Sequence, residues 1–317
     1  MNTKPALISR ALALASALAL TLIAMAAIAE AQGQPDYSKV EIKATKIADN
    51  FYTLEGQGGM IGILVGSDGV FMVDSQFAPL TAKIVAAVKQ ITSEPIRFMV
   101  NTHLHPDHTG GNENLAKMGV ILLGRDELRK RLAEGAPAFN GAGGRAPAPA
   151  AALPLITYQG KVTFHMNGED MELIPVPHAH TDGDTIVRFP KIDVIMTGDF
   201  YRSLGYPNID RASGGTLNGT IEGLAYVASL AGPDTKIIPG HGATVTRNEV
   251  LACRDMIVDV RDRVAQLMRQ GKSMQDVIAA HLTASYDAKV LQGPETSERF
   301  VTQVYLELKP AISGSGQ

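Results

Sequence analysis

The stretch HLHPDH at residues 103–108 decides how the rest of this 317-residue sequence is interpreted. It places three of the chain's eight histidines and one aspartate within six positions. His103 and His105 are two residues apart, so in an extended chain their side chains point the same way. A proline then turns the chain, so that Asp107 and His108 can face an adjacent point. Together these groups can hold a pair of divalent metal ions, although a cluster of surface histidines or a helix-capping Asp107 would give the same pattern.

The position of this motif in the predicted fold also favours a ligand site. It follows the apolar run at residues 96–101, and α/β sheets place their ligands at the ends of strands. Three further candidate ligands follow strand-like runs near a glycine, which permits a close approach of the backbone. These candidates are His180, Asp199 and His241, with His178 as an alternative to His180.

Strand-like and helix-like runs alternate along most of the chain. Short β-rich runs occupy residues 40–74 and 155–197, and a further strand is predicted at 236–238. This alternation predicts a mixed α/β sheet covered by helices, and the two strand-rich halves suggest a sandwich of two similar layers. The predicted helices lie at residues 79–91, 112–117, 126–134, 219–230, 249–269, 274–281 and 297–308.

One segment interrupts this alternation. From Gly135 to Pro154 the chain is composed almost entirely of Ala, Gly and Pro. We expect a flexible surface loop, because this composition offers little apolar surface that could be buried. The loop is either a tolerated insertion or a flap over a pocket.

The composition excludes several classes of protein. With 45% apolar and 19% charged residues the chain can bury a real core and is not disordered. A net charge of −3, 5% aromatic residues and the absence of tryptophan argue against a nucleic-acid partner and leave a small molecule as the expected one. The single cysteine, Cys253, excludes a disulfide framework and a cysteine-rich metal site, and we expect it to fill space on a helix.

Residues 1–31 are predicted to be a secretory signal peptide. Lys4 and Arg10 precede an uncharged run at residues 11–29, and small residues two apart end at Ala29 and at Ala31. A membrane anchor is the alternative, since the run could nearly span a bilayer. Alanine is only weakly hydrophobic, however, and no stop-transfer charges follow. Cleavage would leave an exported, periplasmic protein that no longer contacts the membrane.

Taken together, these motifs resemble those of the metallo-β-lactamase superfamily, whose mark is H-x-H-x-D-H followed by later His, Asp and His ligands. The resemblance runs from the strand end at residues 73–75 to the PGHG stretch at 239–242. It implies a four-layer αβ/βα sandwich with the metal site at one edge, between the two layers. The chain would then comprise the signal peptide, a metallo-β-lactamase-type domain at residues 36–245, and a C-terminal helical extension at 246–312 packed on that domain.

Carried over residue by residue, the resemblance implies two metal sites. Zinc suits imidazole and carboxylate ligands, so we expect two Zn²⁺ per chain, with iron or manganese as alternatives. Asp74 and Asp184 resemble family positions that orient the ligand loops. The implied ligands are His103, His105 and His180 for one ion, Asp107, His108 and His241 for the other, and Asp199 bridging both.

This ligand set implies hydrolysis. A water molecule held between two metal ions loses a proton near neutral pH, and the resulting hydroxide attacks a carbonyl, with Asp107 orienting the nucleophile and moving its proton. Similar proteins hydrolyse β-lactams, lactones, glutathione thioesters, or sulfate and phosphate esters. Export fits a β-lactamase, whereas Asp199 stands where one class of lactamases has Cys and resembles the bridging aspartate of glyoxalase II. A non-catalytic metal-binding protein and a redox protein are the alternatives from other classes.

Overall fold

The structure is a computed structural model that describes residues 36–135, 144–176 and 178–309. The predicted signal peptide and residues 136–143 of the Ala/Gly/Pro-rich segment lie outside the described residues. The chain separates into two units, Met1–Val40 and Glu41–Gln317. In the first unit, the described residues form one 3-10 turn, Tyr37–Lys39, which begins where the Asp36 carboxylate accepts a hydrogen bond from the Ser38 amide.

Seven strands of the second unit form a sheet in which they follow their order in the sequence. The first four strands are antiparallel neighbours joined by short connections, and from the fourth onward the neighbours are parallel. The strands are β1 (Lys43–Ala48), β2 (Phe51–Glu55), β3 (Ile61–Leu64), β4 (Val70–Val73), β5 (Ile96–Val100), β6 (Ile121–Arg125) and β7 (Ile156–Tyr158).

Parallel neighbours need crossover connections, and helices provide them here. Helix α1 (Thr81–Ile91) connects β4 to β5 and buries Ile84 and Val88. The short helices α2 (Pro106–Thr109) and α3 (Asn112–Lys117) connect β5 to β6. Helix α4 (Asp126–Glu134) follows β6 and lies in the connection between β6 and β7.

The second sheet has five strands in the order β12-β11-β10-β9-β8. Its neighbours are antiparallel except for the β11–β12 pair, which is parallel and is connected by helix α5 (Leu217–Leu230). The strands are β8 (Val162–Met166), β9 (Glu169–Pro175), β10 (Thr185–Phe189), β11 (Val194–Arg202) and β12 (Lys236–His241).

Two apolar clusters arrange the sheets and helices in layers. One joins the facing sides of the two sheets, where the rings of Phe51 and Phe189 lie 4.7 Å apart. Each such fully buried side chain stabilises the fold by about 1.5–3 kcal/mol. The other cluster joins the outer side of the second sheet to α5 and the later helices. Two sheets packed face to face and covered by helices confirm the predicted α/β sandwich.

Four helices follow the second sheet. Helix α6 places Ile257, Val260 and Val264 in the cluster that covers this sheet. Cys253, expected to be a buried space-filling residue, packs against that cluster but is only half-buried. Among the described residues, no helix is both long enough and apolar enough to cross a membrane. The four helices are α6 (Arg247–Arg269), α7 (Met274–Ala279), α8 (Ala284–Asp287) and α9 (Gly293–Leu308).

Capping groups explain where the predicted helix boundaries were wrong. Helix α5 begins two residues before the predicted start because Thr216 accepts a hydrogen bond from the Gly219 amide. Helix α6 likewise begins early, since Thr246 and Glu249 form a reciprocal capping box. Helix α9 begins at Gly293 with a proline in its first turn, where a missing N–H costs nothing.

The described part of the Ala/Gly/Pro-rich segment differs from the expected flexible loop. It contains a 3-10 turn at Ala150–Ala152, and Ala152 is buried. Arg145 donates a hydrogen bond of 2.6 Å to the carbonyl of Leu104, inside the HLHPDH motif, and Asn112 donates one to the carbonyl of Ala152. Its described residues from Arg145 onward are therefore held by contacts with the surface beneath them, which composition alone could not reveal.

Candidate metal centre

The histidines and aspartates singled out in the sequence lie together at one edge of the sandwich. Both sheets contribute, and most of these residues follow or end a strand. Asp199 was expected to follow a strand but lies within β11, which continues to Arg202. His103 and His105 follow β5, Asp107 and His108 lie in α2, His180 lies between β9 and β10, Asp199 is on β11, and His241 ends β12.

Three imidazoles form what we call the first ligand group: His103, His105 and His180. Their candidate ligand atoms all lie within 4.8 Å of one another. The closest pair is His180 Nε2 and His105 Nδ1, which are 2.9 Å apart. His103 and His180 are almost entirely buried, at 1% exposure each. This arrangement can offer three nitrogen ligands to a single ion.

A second ligand group, Asp107, His108 and His241, lies beside the first. These three also bring their candidate ligand atoms within 4.8 Å of one another. His241 Nε2 lies 3.0 Å from Asp107 Oδ2, and His108 Nε2 lies 3.6 Å from the same oxygen. Asp107 retains 22% side-chain exposure, so this group faces the opening of the site.

Asp199 stands between the two groups. Its Oδ1 lies 3.2 Å from His108 Nε2, and its Oδ2 lies 3.4 Å from His241 Nε2 and 4.0 Å from His180 Nε2. A carboxylate oxygen of Asp199 and one ring nitrogen each of His103 and His108 also lie within 4.8 Å of one another. One buried carboxylate thus faces ligand atoms of both groups, which is the arrangement a bridging ligand requires.

Unsatisfied buried atoms show that these residues fit a metal ion. Among the described residues, the buried His103 Nε2, His108 Nε2 and Asp199 Oδ1 make no hydrogen bond of normal geometry, although the last two atoms lie 3.2 Å apart. A buried polar atom left without a partner costs about 1–3 kcal/mol. Three such atoms converging on one place are explained if a cation satisfies them, since imidazole nitrogens and carboxylate oxygens are ligands of zinc and similar metals.

The outer nitrogens of the histidines are held by the protein. His108 Nδ1 donates to Asp74 Oδ2 at 2.7 Å, and the same carboxylate accepts the Thr102 amide. His105 Nε2 lies 2.9 Å from Asp210 Oδ2. A carboxylate on the outer nitrogen fixes the tautomer and leaves the inner nitrogen free to bind a metal.

His180 is held in a similar way by a backbone carbonyl. Its Nδ1 donates to the carbonyl of Asn208, and the buried Asp184 accepts the amide and the hydroxyl of Thr181 next to it. Burial raises the pKa of Asp184 to about 7. His178, the alternative ligand, is exposed and its ring contacts the carbonyl of Gly214, so the structure brings His180 into the site and leaves His178 outside.

Asp210 and Asn208 were missed by the sequence analysis. Both lie in the loop at residues 203–210, which follows β11 and has no strand-like or helix-like pattern. Aspartates are common in loops, and a residue of any type can supply a backbone carbonyl, so the sequence marks neither partner. The path of this loop past His105 and His180 depends on tertiary packing, so no local signal could have found these partners.

Electrostatics put four of the candidate ligands in the protonation state that binds metals, among them the buried carboxylate of Asp199, whose pKa His241 and His108 lower against the effect of burial. Burial lowers the pKa of His103 well below its usual value and that of His180 to about 4, so both imidazoles are neutral. Burial opposes ionisation of Asp107, but His108 and His241 outweigh it and lower the pKa of Asp107 to about 2. The surrounding carboxylates raise the pKa of His108 and of His241 although burial opposes this, so a metal ion bound there would replace a proton.

A glycine beside His241 leaves room for the central carboxylate. A Cβ atom at Gly240 would lie 2.0 Å from Asp199 Oδ1, and one at Gly59 would lie 2.1 Å from His108 Cε1. Real side chains cannot approach so closely, so these two positions require glycine. The glycine predicted to permit a close backbone approach in PGHG has this role.

Replacing Asp210 with asparagine is expected to weaken metal binding at the first ligand group. The amide keeps the size of the side chain but carries no negative charge, so it is a weaker hydrogen-bond acceptor for His105 Nε2. The affinity for one ion should fall about 10- to 100-fold, the usual effect of losing such a supporting carboxylate. Zinc titration against a chromophoric chelator measures it, and any ion at the second ligand group, whose His108 is held by Asp74, should bind as in the wild type.

Comparison with known proteins places this fold and site in a family. The family model of the metallo-beta-lactamase superfamily matches residues 55–259, which include every candidate ligand described above. The chain belongs to the metallo-β-lactamase superfamily.

Individual relatives are distant and of two kinds. The metallo-beta-lactamase type 2 of Bacillus cereus is 22% identical over 196 residues, covering 62% of this chain and 71% of the relative. The linear primary-alkylsulfatase of Pseudomonas sp. (strain ATCC 19151) is 23% identical over an alignment of 288 residues, covering 75% of this chain and 53% of the relative. The chain thus spans about half of the alkylsulfatase's length.

Solved structures show the same two kinds of similarity. A metallo-beta-lactamase from Pontibacter korlensis has a TM-score of 0.56 at 19% identity and covers 69% of this chain and 100% of its own. The sec-alkylsulfatase Pisa1 from Pseudomonas sp. has a TM-score of 0.65 at 16% identity and covers 86% of this chain and 51% of its own. These similarities establish the shared fold.

Proposed function

We propose that this protein is an exported hydrolase that uses two divalent metal ions, with zinc the best-suited metal, to cleave a small molecule at a carbonyl, β-lactams being the first candidate substrates. The observation that carries the proposal is the convergence of buried atoms without partners, His103 Nε2, His108 Nε2 and Asp199 Oδ1, between two groups of metal-ligating side chains. Membership of a superfamily of metallohydrolases supports it.

The first ligand group would hold one ion, the second group the other, and Asp199 would contact both. When bound there, the ions would polarise the scissile bond of the substrate and lower the pKa of a water molecule. The shared carboxylate would keep the two ions close together. Asp210 and Asp74 would hold the rings of His105 and His108 in place while substrate binds.

Asp107 is suited to move the proton of the attacking water. It is ionised at neutral pH, because its pKa lies near 2, and its side chain is more exposed than that of Asp199. A carboxylate in this position can accept a proton from water and deliver it to the leaving atom. Asp199 is only 4% exposed and is enclosed by three histidines, so it is less able to exchange protons with substrate.

Arg202 gives the site a fixed positive charge. Its Nη1 lies 3.6 Å from Asp199 Oδ2, and its side chain is 21% exposed. A guanidinium at this distance can hold an anionic group of a substrate, such as a carboxylate or a sulfate, next to the metal centre. The site therefore suits substrates that carry a negative charge near the bond to be cleaved.

A sulfate-ester substrate is the second candidate. The alkylsulfatase Pisa1 covers 86% of this chain, against 69% for the Pontibacter korlensis lactamase. Arg202 would suit the charge of a sulfate group as well as that of a carboxylate. Lactones and thioesters complete the set of candidates, because a bridging aspartate like Asp199 resembles that of glyoxalase II.

A substrate panel tests the proposed function. Zinc-loaded protein is assayed with nitrocefin, a lactone, an S-acyl glutathione and an alkyl sulfate, and each assay is repeated after chelation of the metal. We expect one class to be hydrolysed well above the others and only by the metal-loaded protein. Two bound ions without turnover on any member would favour a non-catalytic or redox protein, and turnover that survives chelation would contradict the metal mechanism.

Export is tested separately. The chain, expressed with its own N-terminus in a Gram-negative host, is expected to lose about the first 31 residues, because the sequence there has the layout of a signal peptide. Mass spectrometry of the periplasmic fraction gives the N-terminal residue. An intact N-terminus would contradict the proposal, whatever the substrate panel shows.

A further inference from the structure

We propose that Gln303, on the C-terminal helix α9, is a positioning residue of the metal centre. It holds the loop at residues 203–210, here called the supporting loop, which orients two of the histidines in the first ligand group. The inference rests on the metal-dependent function proposed above. It extends that function to a helix that supplies no ligand itself.

The supporting loop supplies the partners of two outer histidine nitrogens. The carbonyl of Asn208 accepts from His180 Nδ1, and the carboxylate of Asp210 contacts His105 Nε2 at 2.9 Å. The amide of Asp210 also donates to the carbonyl of His180 at 2.9 Å. Any shift of this loop therefore moves both rings of the first ligand group at once.

Gln303 makes hydrogen bonds to both backbone groups of Ile209, the residue between Asn208 and Asp210. Its Oε1 accepts from the amide of Ile209 at 3.1 Å, and its Nε2 donates to the carbonyl of Ile209 at 3.2 Å. The same Nε2 donates to the side-chain oxygen of Asn208 at 3.1 Å. A side-chain amide carries its acceptor and its donor on neighbouring atoms, so it can pair with both the N–H and the carbonyl of one residue. Gln303 is 5% exposed, so water offers no easy replacement.

Other residues of α9 hold the beginning of the supporting loop. Thr296 Oγ1 accepts from the amide of Tyr206 at 3.1 Å, and Arg299 donates to the carbonyl of the same residue at 3.3 Å. Tyr206 lies two residues before Asn208 and four before Asp210, and it contacts neither histidine ring. Gln303 alone among these contacts touches both Asn208 and Ile209, so the effect on the metal centre should concentrate there.

The decisive variant is Gln303→Leu, which has a similar volume, leaves the amide of Ile209 without its partner, and removes the side-chain bonds to the Ile209 carbonyl and to Asn208. The Ile209 carbonyl still accepts from the Arg211 amide at 3.0 Å. We expect zinc affinity at the first ligand group to fall about 10- to 100-fold, as for loss of other groups that orient ligands. Affinity at the second group should not change, since Asp74 holds His108 independently of this loop. A two-step zinc titration with a chromophoric chelator resolves the two affinities, and the spectrum of the cobalt-substituted protein reports the geometry.

Two further variants separate positioning from general stability. Val304→Ala removes packing at the adjacent, fully buried position, so it lowers the melting temperature but should keep the ratio of the two zinc affinities. Gln303→Glu keeps an acceptor for the Ile209 amide but turns a carboxylate oxygen toward the Ile209 carbonyl and the Asn208 side-chain oxygen, so it should also weaken the first ligand group selectively. It decides the matter if the leucine variant does not fold.

Equal weakening of both ions, or a loss that Val304→Ala reproduces, would overturn the assignment of Gln303. So would unchanged zinc binding in both Gln303 variants while the wild type binds two ions. A wild-type protein that binds no zinc at all would instead overturn the proposed function on which this inference rests.

Discussion

Replacing Asp199 with asparagine is expected to abolish hydrolysis and to empty both metal positions. The amide preserves the shape of the side chain but removes the charge that faces His108 at 3.2 Å and His241 at 3.4 Å. Losing a residue that merely supports a ligand costs about 10- to 100-fold in metal affinity, so losing the shared carboxylate should cost more than about 100-fold. Metal content after gel filtration, measured together with turnover, checks this.

A matched control is available on the surface. The Asp170 carboxylate pairs with His165 at 2.7 Å and with Lys191 at 2.9 Å, and both the aspartate and the histidine are exposed. Asp170→Asn should therefore keep both the metal and the activity, since exposed ion pairs contribute little. If Asp199→Asn keeps two ions and normal turnover, the shared carboxylate has no part in the centre.

Removing the metal from the wild-type protein is expected to lower its melting temperature by about 10 °C. A ligand that binds only the folded chain stabilises it by about 4 kcal/mol when its concentration is about 1000 times its dissociation constant. For a chain of this size, about 1 kcal/mol corresponds to about 2–4 °C. The physical cause is that the ligand groups come together only in the folded chain, so a bound ion stabilises the folded state alone.

Differential scanning calorimetry with and without a chelator measures this difference. The Asp199→Asn protein serves as the reference, because its melting temperature should already be low and should not respond to the chelator. A wild-type protein whose melting temperature ignores both the chelator and added zinc would show that the cluster binds no ion in the folded state.

The cluster of candidate ligands could be predicted because each member combines a reactive residue type with a recognisable place in the chain. His103 and His105 follow a strongly apolar run, and His241 lies between two glycines after another such run. Spacing and strand ends are local properties, so a single sequence carries them. The layered fold could be predicted as well, because strand and helix periodicities are also local properties of the sequence.

The supporting residues could not be predicted because their roles depend on contacts between distant parts of the chain. Asp210 stands in a loop without periodicity, and Gln303 occupies a position on an amphipathic helix that resembles a solvated face. Gln303 is nevertheless buried and hydrogen-bonded to Ile209, which lies 94 residues earlier in the sequence. The order of the segment after Arg145 has the same origin, since Leu104 beneath it supplies the acceptor.

The origin of the ligands in two different sheets has a consequence for how this chain is held together. His103 comes from the first sheet and His241 from the second, so an ion shared through Asp199 would act as a cross-link between them. A covalent cross-link that closes a loop of about 100 residues stabilises a fold by about 5 kcal/mol in the chain-entropy model. With one cysteine, this chain cannot form an internal disulfide. The metal centre would act as a reversible cross-link between the sheets, and its occupancy would depend on the concentration of available metal.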